Sequence, residues 1–123
     1  MSRKVLVIDD SRAIRQMVGD ALRDSGYEVA EADSGIEGIK LIEDEQFSMV
    51  LCDVNMPGMD GLEMLASVQA RGAVDAPPIF ILTTEGKADV IQRAKQLGAK
   101  GWIIKPFKSD QLVALVRKVV GGS

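Results

Sequence analysis

The chain has 123 residues, with 15 Lys and Arg against 18 Asp and Glu, no His and one Cys. That length suits one domain with its own core, and the net charge of −3 lacks the basic excess that a phosphate backbone requires, so direct nucleic-acid binding is disfavoured. The absence of His excludes Ser-His-Asp hydrolysis, Cys-His nucleophiles and His-ligated zinc or copper, leaving carboxylates, lysine, hydroxyls and the backbone for any chemistry.

Lys4 to Ile8 is an unbroken apolar run rich in β-branched residues, as in a strand covered on both faces, and it stops at Asp9-Asp10. Ser11 is placed to cap a helix in which Ile14, Met17, Val18, Ala21 and Leu22 form one stripe, closed by Gly26. Tyr27 to Ala32 alternates like a half-buried strand and ends at Asp33. Ser34-Gly35-Ile36-Glu37 then has capping-box spacing for a helix through about Glu43. Phe47 to Cys52 is a third apolar run, ending at Asp53.

Val54 to Asp60 is a loop by its proline and glycine, and the helix after it carries Leu62, Leu65 and Ala66 as its apolar stripe. Met56 and Met59 flank Pro57 and are expected to pack the loop. After the break at Pro77-Pro78, Ile79 to Leu82 is a fourth strand ending at Thr83-Thr84. Val90, Ile91, Ala94 and Leu97 mark a helix closed by Gly98. Trp102 to Ile104 is the fifth strand, ending at Lys105-Pro106. Ser109 is expected to cap a last helix with Leu112, Leu115, Val116, Val119 and Val120 on its buried side.

Strands alternating with helices in this way predict βαβ units around a parallel sheet, an α/β fold. Residues 1–120 form the expected domain, and Gly121-Gly122-Ser123 reads as a flexible tail or as the start of a linker to a further domain. The lone Cys52 cannot form an internal disulfide. By the strand period of two it points away from Asp53, as a core residue without a redox role. Apolar runs fall far short of the roughly 18 residues of a membrane span, and no signal-peptide core opens the chain, so the cytoplasm is the expected location and no membrane partner is expected.

In an open parallel sheet, ligands bind beyond the carboxyl ends of the strands. Strand one ends in Asp9 and Asp10, strand three in Asp53, strand four in Thr83 and strand five in Lys105. Singly, each has an ordinary role: a solvated turn, a capping hydroxyl, a surface cation. Together on one edge they point to a site. Three carboxylates close together raise one another's pKa values unless a cation joins them, and with oxygen ligands alone Mg²⁺ is the natural choice. A carboxylate nucleophile, a divalent ion, a lysine and a hydroxyl are the parts of phosphoryl transfer.

Asp9-Asp10, Asp53 within Val-Leu-Cys-Asp-Val-Asn-Met-Pro-Gly-Met-Asp-Gly, Thr83 and Lys105-Pro106-Phe107 together resemble the receiver domain of bacterial response regulators, over essentially the whole chain. The single-domain CheY type is the nearest resemblance. It implies a flavodoxin-like doubly wound fold of five βα units with strand order 2-1-3-4-5. It further implies that Asp53 accepts a phosphoryl group from a sensor histidine kinase, and that Asp10, Asp53 and the Asn55 carbonyl bind Mg²⁺, with Asp9 acting mainly through a metal-bound water. Lys105 would contact the phosphoryl group, its bond to Pro106 would be cis, and Thr83 would turn toward the phosphate.

The same resemblance makes the aromatic three residues before the lysine a switch that moves with the threonine. Here it is Trp102, where tyrosine or phenylalanine is usual; its ordinary reading is a surface aromatic on strand five. Asn55 and Glu85 occupy positions associated with tuning the loss of the phosphoryl group. The implied partners are the kinase, a phosphatase and a downstream protein, a flagellar motor switch being the commonest for stand-alone chemotaxis regulators. That protein would read the surface of helix four, strand five and helix five. The expected state is a monomeric signalling switch without separate substrate turnover.

Other readings are a phosphorelay intermediate, a receiver cut from a larger regulator, and a scaffold that never turns over phosphate. A haloacid-dehalogenase-like phosphohydrolase uses a similar kit but needs a second acid two residues past its nucleophile, where this chain has Asn55. A flavin mononucleotide phosphate would be repelled by Asp9-Asp10.

Overall fold

The computed structural model describes residues 3–72, 76–84 and 88–121. In chain order the elements are β1 (Lys4–Ile8), α1 (Arg12–Asp24), β2 (Glu28–Ala32), α2 (Gly35–Asp44), β3 (Met49–Asp53), α3 (Gly61–Ala70), β4 (Ile79–Thr83), α4 (Ala88–Gln96), β5 (Gly101–Ile104) and α5 (Ser109–Val120). All strand pairings are parallel and the order is β2-β1-β3-β4-β5, the doubly wound arrangement expected from the resemblance.

Side chains alternate across the three central strands and so build two cores. Leu6, Ile8, Val50, Cys52, Ile79 and Ile81 face α2, α3 and α4, whereas Val5, Val7, Met49, Leu51, Phe80 and Leu82 face α1 and α5. This double burial explains why β1, β3 and β4 read as continuous apolar runs. β2 stands at the sheet's edge, where Glu28 is exposed and Val29 to Glu31 are half-buried, matching its alternating sequence. Among the described residues no helix is long and apolar enough to cross a membrane.

Local chemistry sets most boundaries. Ser11 caps α1 by accepting from the Ile14 N–H, and Gly26 and Gly98 follow α1 and α4 at φ of 93° and 101°, where only glycine is unstrained. At α2 the Ser34 hydroxyl accepts from the Glu37 N–H, but the Glu37 carboxylate accepts from Asp33 rather than from Ser34, so the expected box closes one residue early. The reciprocal capping box lies at α3, between Asp60 and Glu63.

Several expectations are corrected. Ser109 is the first residue of α5 and not its cap; Lys108 holds that position without a side-chain bond. Tyr27 and Phe47 precede β2 and β3 instead of opening them. Each is held by another contact: Tyr27 donates to the Gly121 carbonyl at 3.0 Å and the Lys4 ammonium lies over the Phe47 ring. On α3 the buried side is Gly61, Met64, Leu65 and Val68, with Leu62 and Ala66 only half-buried, so the buried stripe is rotated from the expected one. On α5, Val113 is buried beside Leu112 and Val116, while Leu115, Val119 and Val120 are half-buried.

Candidate functional site

The register brings the strand ends together. Ile8 is level with Cys52 and Asp53 with Leu82, so Asp9 and Asp53 emerge side by side one position past the β1–β3 pairing. Thr83 is level with Ile104, and the Lys105 N–H donates to the Thr83 carbonyl at 2.8 Å, which sets the fifth strand's last residue beside the fourth's. The Lys105–Pro106 bond is cis.

Asp9 is fully buried, Asp53 nearly so, and Asp10 is exposed. One carboxylate oxygen from each of the three lies within 4.8 Å of the others. Oxygens on opposite sides of an Mg²⁺ stand about 4.2 Å apart, twice its bond length, so a cluster within 4.8 Å would need only a small contraction, and its donor type suits a hard divalent ion. Lys105 reaches into it: its Nζ lies 2.9 Å from Asp9 Oδ2 and 3.3 Å from Asp53 Oδ1.

These contacts fix the electrostatics. Burial, then the neighbouring Asp9 charge, push the Asp53 carboxyl above its ordinary range, and Lys105 and the Asn55 N–H only partly oppose them. For Lys105 burial alone would push the ammonium down. The Asp9 hydrogen bond and the charges of Asp53 and Asp9 outweigh it, and the net direction is up. A half-buried ammonium between two acids is thus held charged, while at Asp53 burial and the Asp9 charge outweigh the partners that favour its ionised form.

Asp9 is held at every polar group. Its N–H donates to the Ala32 carbonyl, its Oδ1 accepts from the Ser11 N–H, its Oδ2 from Lys105, and its carbonyl oxygen from Arg15 Nη1 at 2.7 Å. Asn55 is exposed in the loop past β3. Its N–H donates to Asp53 Oδ1 at 3.2 Å and its side-chain amide to Thr84 Oγ1 at 3.3 Å. Thr83 is buried at the end of β4. Glu85 lies outside the described residues.

Trp102 stands apart from the acids, on β5. It is 38% exposed, and the Lys95 ammonium of α4 sits 4.7 Å from its ring centroid. Ile104, two residues on and therefore on the same face, is also exposed. Cys52 points into the opposite core with its sulfur 3.7 Å from that of Met64, and burial pushes its thiol far up, so it is inert. Met56 is buried and Met59 packs against Gly35, the loop packing expected of them. Reading strand ends missed Arg15, and it named Thr84 after the fourth strand without giving it the contact to Asn55. The one available signal for Arg15 was its place one helical turn past the Ser11 cap.

Paired acids crossed by one lysine at the carboxyl edge of a β2-β1-β3-β4-β5 parallel sheet define the receiver class of α/β signalling domain. The model of the response regulator receiver domain matches residues 5–117, and the chain belongs to that family. The chemotaxis protein CheY of Pseudomonas aeruginosa is 34% identical over 117 residues, covering 94% of this chain and 94% of that protein. CheY-3 of Vibrio cholerae is also 34% identical, over 94% of this chain and 90% of its own length. Among solved structures, CheY4 of Vibrio cholerae superposes with a TM-score of 0.90 at 39% identity, covering 97% of this chain and 99% of that one. A CheY-like receiver from Methanospirillum hungatei gives 0.89 at 26% identity, covering 98% and 94%. The chain is a CheY-like receiver of the chemotaxis type.

Proposed function

We propose that this protein is a phosphorylation-activated switch in which Asp53 takes a phosphoryl group from a phosphohistidine of a sensor kinase. An Asp53 oxygen attacks phosphorus, the P–N bond breaks, and the histidine leaves with its electron pair. The observation that carries this reading is Lys105 Nζ lying within 3.3 Å of both Asp53 and Asp9. A fixed cation beside the nucleophile favours its ionised form in a buried site and faces the oxygens where charge collects during transfer.

Asp10, Asp53 and the Asn55 carbonyl would hold Mg²⁺, which supplies charge neutralisation at the phosphoryl oxygens. Both Asp9 oxygens already accept hydrogen bonds, so Asp9 fits a water-mediated role better than a direct one. Thr83 donates to the phosphoryl group from the end of β4, and Asn55 and Glu85 tune how fast the group is lost.

The added charge draws Lys105 and Thr83 inward and favours a second arrangement of the α4-β5-α5 surface. Inverting a 1:99 population takes about 5.5 kcal/mol, within reach of a few charge-assisted hydrogen bonds of roughly 1.5–3 kcal/mol each. Trp102 is the switch aromatic, and with Ile104 it forms the apolar part of the face that a downstream cytoplasmic partner reads, as in a flagellar motor switch. A phosphatase partner would shorten the signal.

Intact mass after incubation with acetyl phosphate and Mg²⁺ tests the reading. The expected result is one phosphoryl adduct that decays on its own and is lost in Asp53→Asn or without the metal. No adduct, with no consumption of acetyl phosphate, overturns it.

A further inference from the structure

We propose that Arg15 is a positioning residue for the acidic site, holding the β1–α1 turn that carries Asp9 and Asp10; this rests on the phosphoacceptor reading above. The carbonyl of Asp9 leaves the sheet one residue past β1, and among the described residues no backbone N–H donates to it. A buried carbonyl needs a donor, and Arg15 Nη1 supplies one at 2.7 Å. The backbone N–H of the same residue donates to the Ser11 carbonyl at 3.0 Å. One residue therefore closes the turn twice, across Asp9 and across the helix cap, with Asp10 between the two bonds.

The guanidinium is itself anchored. Its Nε lies 3.4 Å from Glu31 Oε1 on β2, and the Arg15 side chain is only 16% exposed. The other Glu31 oxygen accepts from Arg23 Nη2 at 3.2 Å, so Glu31 is braced between two arginines. The planar fork presents two separate nitrogens, Nε to the carboxylate and Nη1 to the carbonyl, a spacing that the single nitrogen of a lysine does not reproduce. Groups that orient metal-binding residues from behind typically change metal affinity by about 10–100-fold when removed.

Charge alone predicts the opposite sign. Arg15 is a cation near an acidic cluster, and deleting it by electrostatics would tighten Mg²⁺. Positioning predicts that Arg15→Ala weakens Mg²⁺ by about 10-fold, and that Arg15→Lys, with the charge kept, weakens it as well.

The test is calorimetric Mg²⁺ titration of the wild type, Arg15→Ala and Arg15→Lys, with amide exchange measured on the metal-free proteins. The Ser11 N–H, bonded to Asp9 Oδ1, should exchange faster in both variants while β1 amides keep their protection. A general loss of stability would move both sets together. Weaker Mg²⁺ with locally faster exchange at Ser11 supports the proposal. Equal or tighter Mg²⁺ in both variants, or uniform loss of protection, overturns it and leaves the phosphoacceptor reading standing. A wild type that takes up no Mg²⁺ at millimolar concentration takes both down.

Discussion

A Cβ built on Gly61 would stand 2.5 Å from the carbonyl oxygen of Asp53, so the first turn of α3 lies directly on the backbone of the proposed phosphoacceptor. The Gly61 N–H also donates to the Val54 carbonyl at 3.1 Å, tying helix to strand end. The obstacle is main chain and cannot rotate away. Gly61→Ala is expected to cost about 1–3 kcal/mol, the usual range for overpacking, and to slow phosphorylation by displacing Asp53. A lower urea midpoint at unchanged slope would show it, and an unchanged midpoint would mean that α3 can retreat freely.

Asp53→Asn is expected to stabilise the metal-free protein at neutral pH. The folded pKa of Asp53 is raised, chiefly by burial, so its contribution is most favourable below the unfolded value and is lost as pH rises through the folded one. The gain in melting temperature from the substitution should therefore be present at pH 7 and shrink toward acid. Mg²⁺ should stabilise the wild type by about 2.7 kcal/mol at one hundred times its dissociation constant, raising its melting temperature, and raise the variant's much less. Equal melting curves at pH 7 would show that Lys105 offsets the burial of Asp53 completely.

The sheet and the ends of its strands were legible because β1, β3 and β4 are covered on both faces and their apolar runs stop where the polar site begins, at Asp9, Asp53 and Thr83. The strand order was not written in any periodicity and came only with the motif resemblance. The support of the site was hidden for a different reason. Arg15 lies on a helix, and its bond to Asp9 crosses a turn whose geometry no spacing rule describes. On α5 the residue type misled: Ser109 looks like a cap, yet the helix begins on it after the cis Lys105–Pro106 bond and Phe107. On α3 the buried row is Gly61, Met64, Leu65 and Val68, one helical stripe rotated from that drawn through Leu62, Leu65 and Ala66, and the glycine that opens it carries no apolar side chain to mark it in the sequence.

Lys105→Ala is expected to remove the cation shared by Asp9 and Asp53 and leave two buried carboxylates facing each other. Breaking such a pair costs about 3 kcal/mol or more when it is fully buried, and Lys105 is 14% exposed, so a loss up to that size is expected without metal. Because the lysine's folded pKa is raised, its stabilisation is complete below the unfolded value near 10.5 and is lost as pH climbs through the folded one. The wild type should therefore lose its advantage over Lys105→Ala only in strong alkali. Denaturant midpoints between pH 7 and pH 11 check the sign, and a difference that grows with pH would contradict it.

Trp102 is the chain's only tryptophan, so its emission reports on one ring without interference. Lys95 holds that ring by a cation–π contact of about 0.5–1 kcal/mol at a partly exposed position, with the ammonium 4.7 Å from the centroid. Lys95→Ala should therefore change the emission of the unphosphorylated protein while lowering stability by no more than that amount. If Trp102 moves with the switch, adding acetyl phosphate and Mg²⁺ should change the wild-type emission, and Asp53→Asn should abolish the change. Release from Lys95 should then favour the switched arrangement, so that Lys95→Ala binds its downstream partner about 2–5-fold more tightly before phosphorylation. Emission that is blind to acetyl phosphate in a protein shown by mass to be phosphorylated would make Trp102 a static part of the β5 surface, with the switch carried by Thr83 and Lys105 alone.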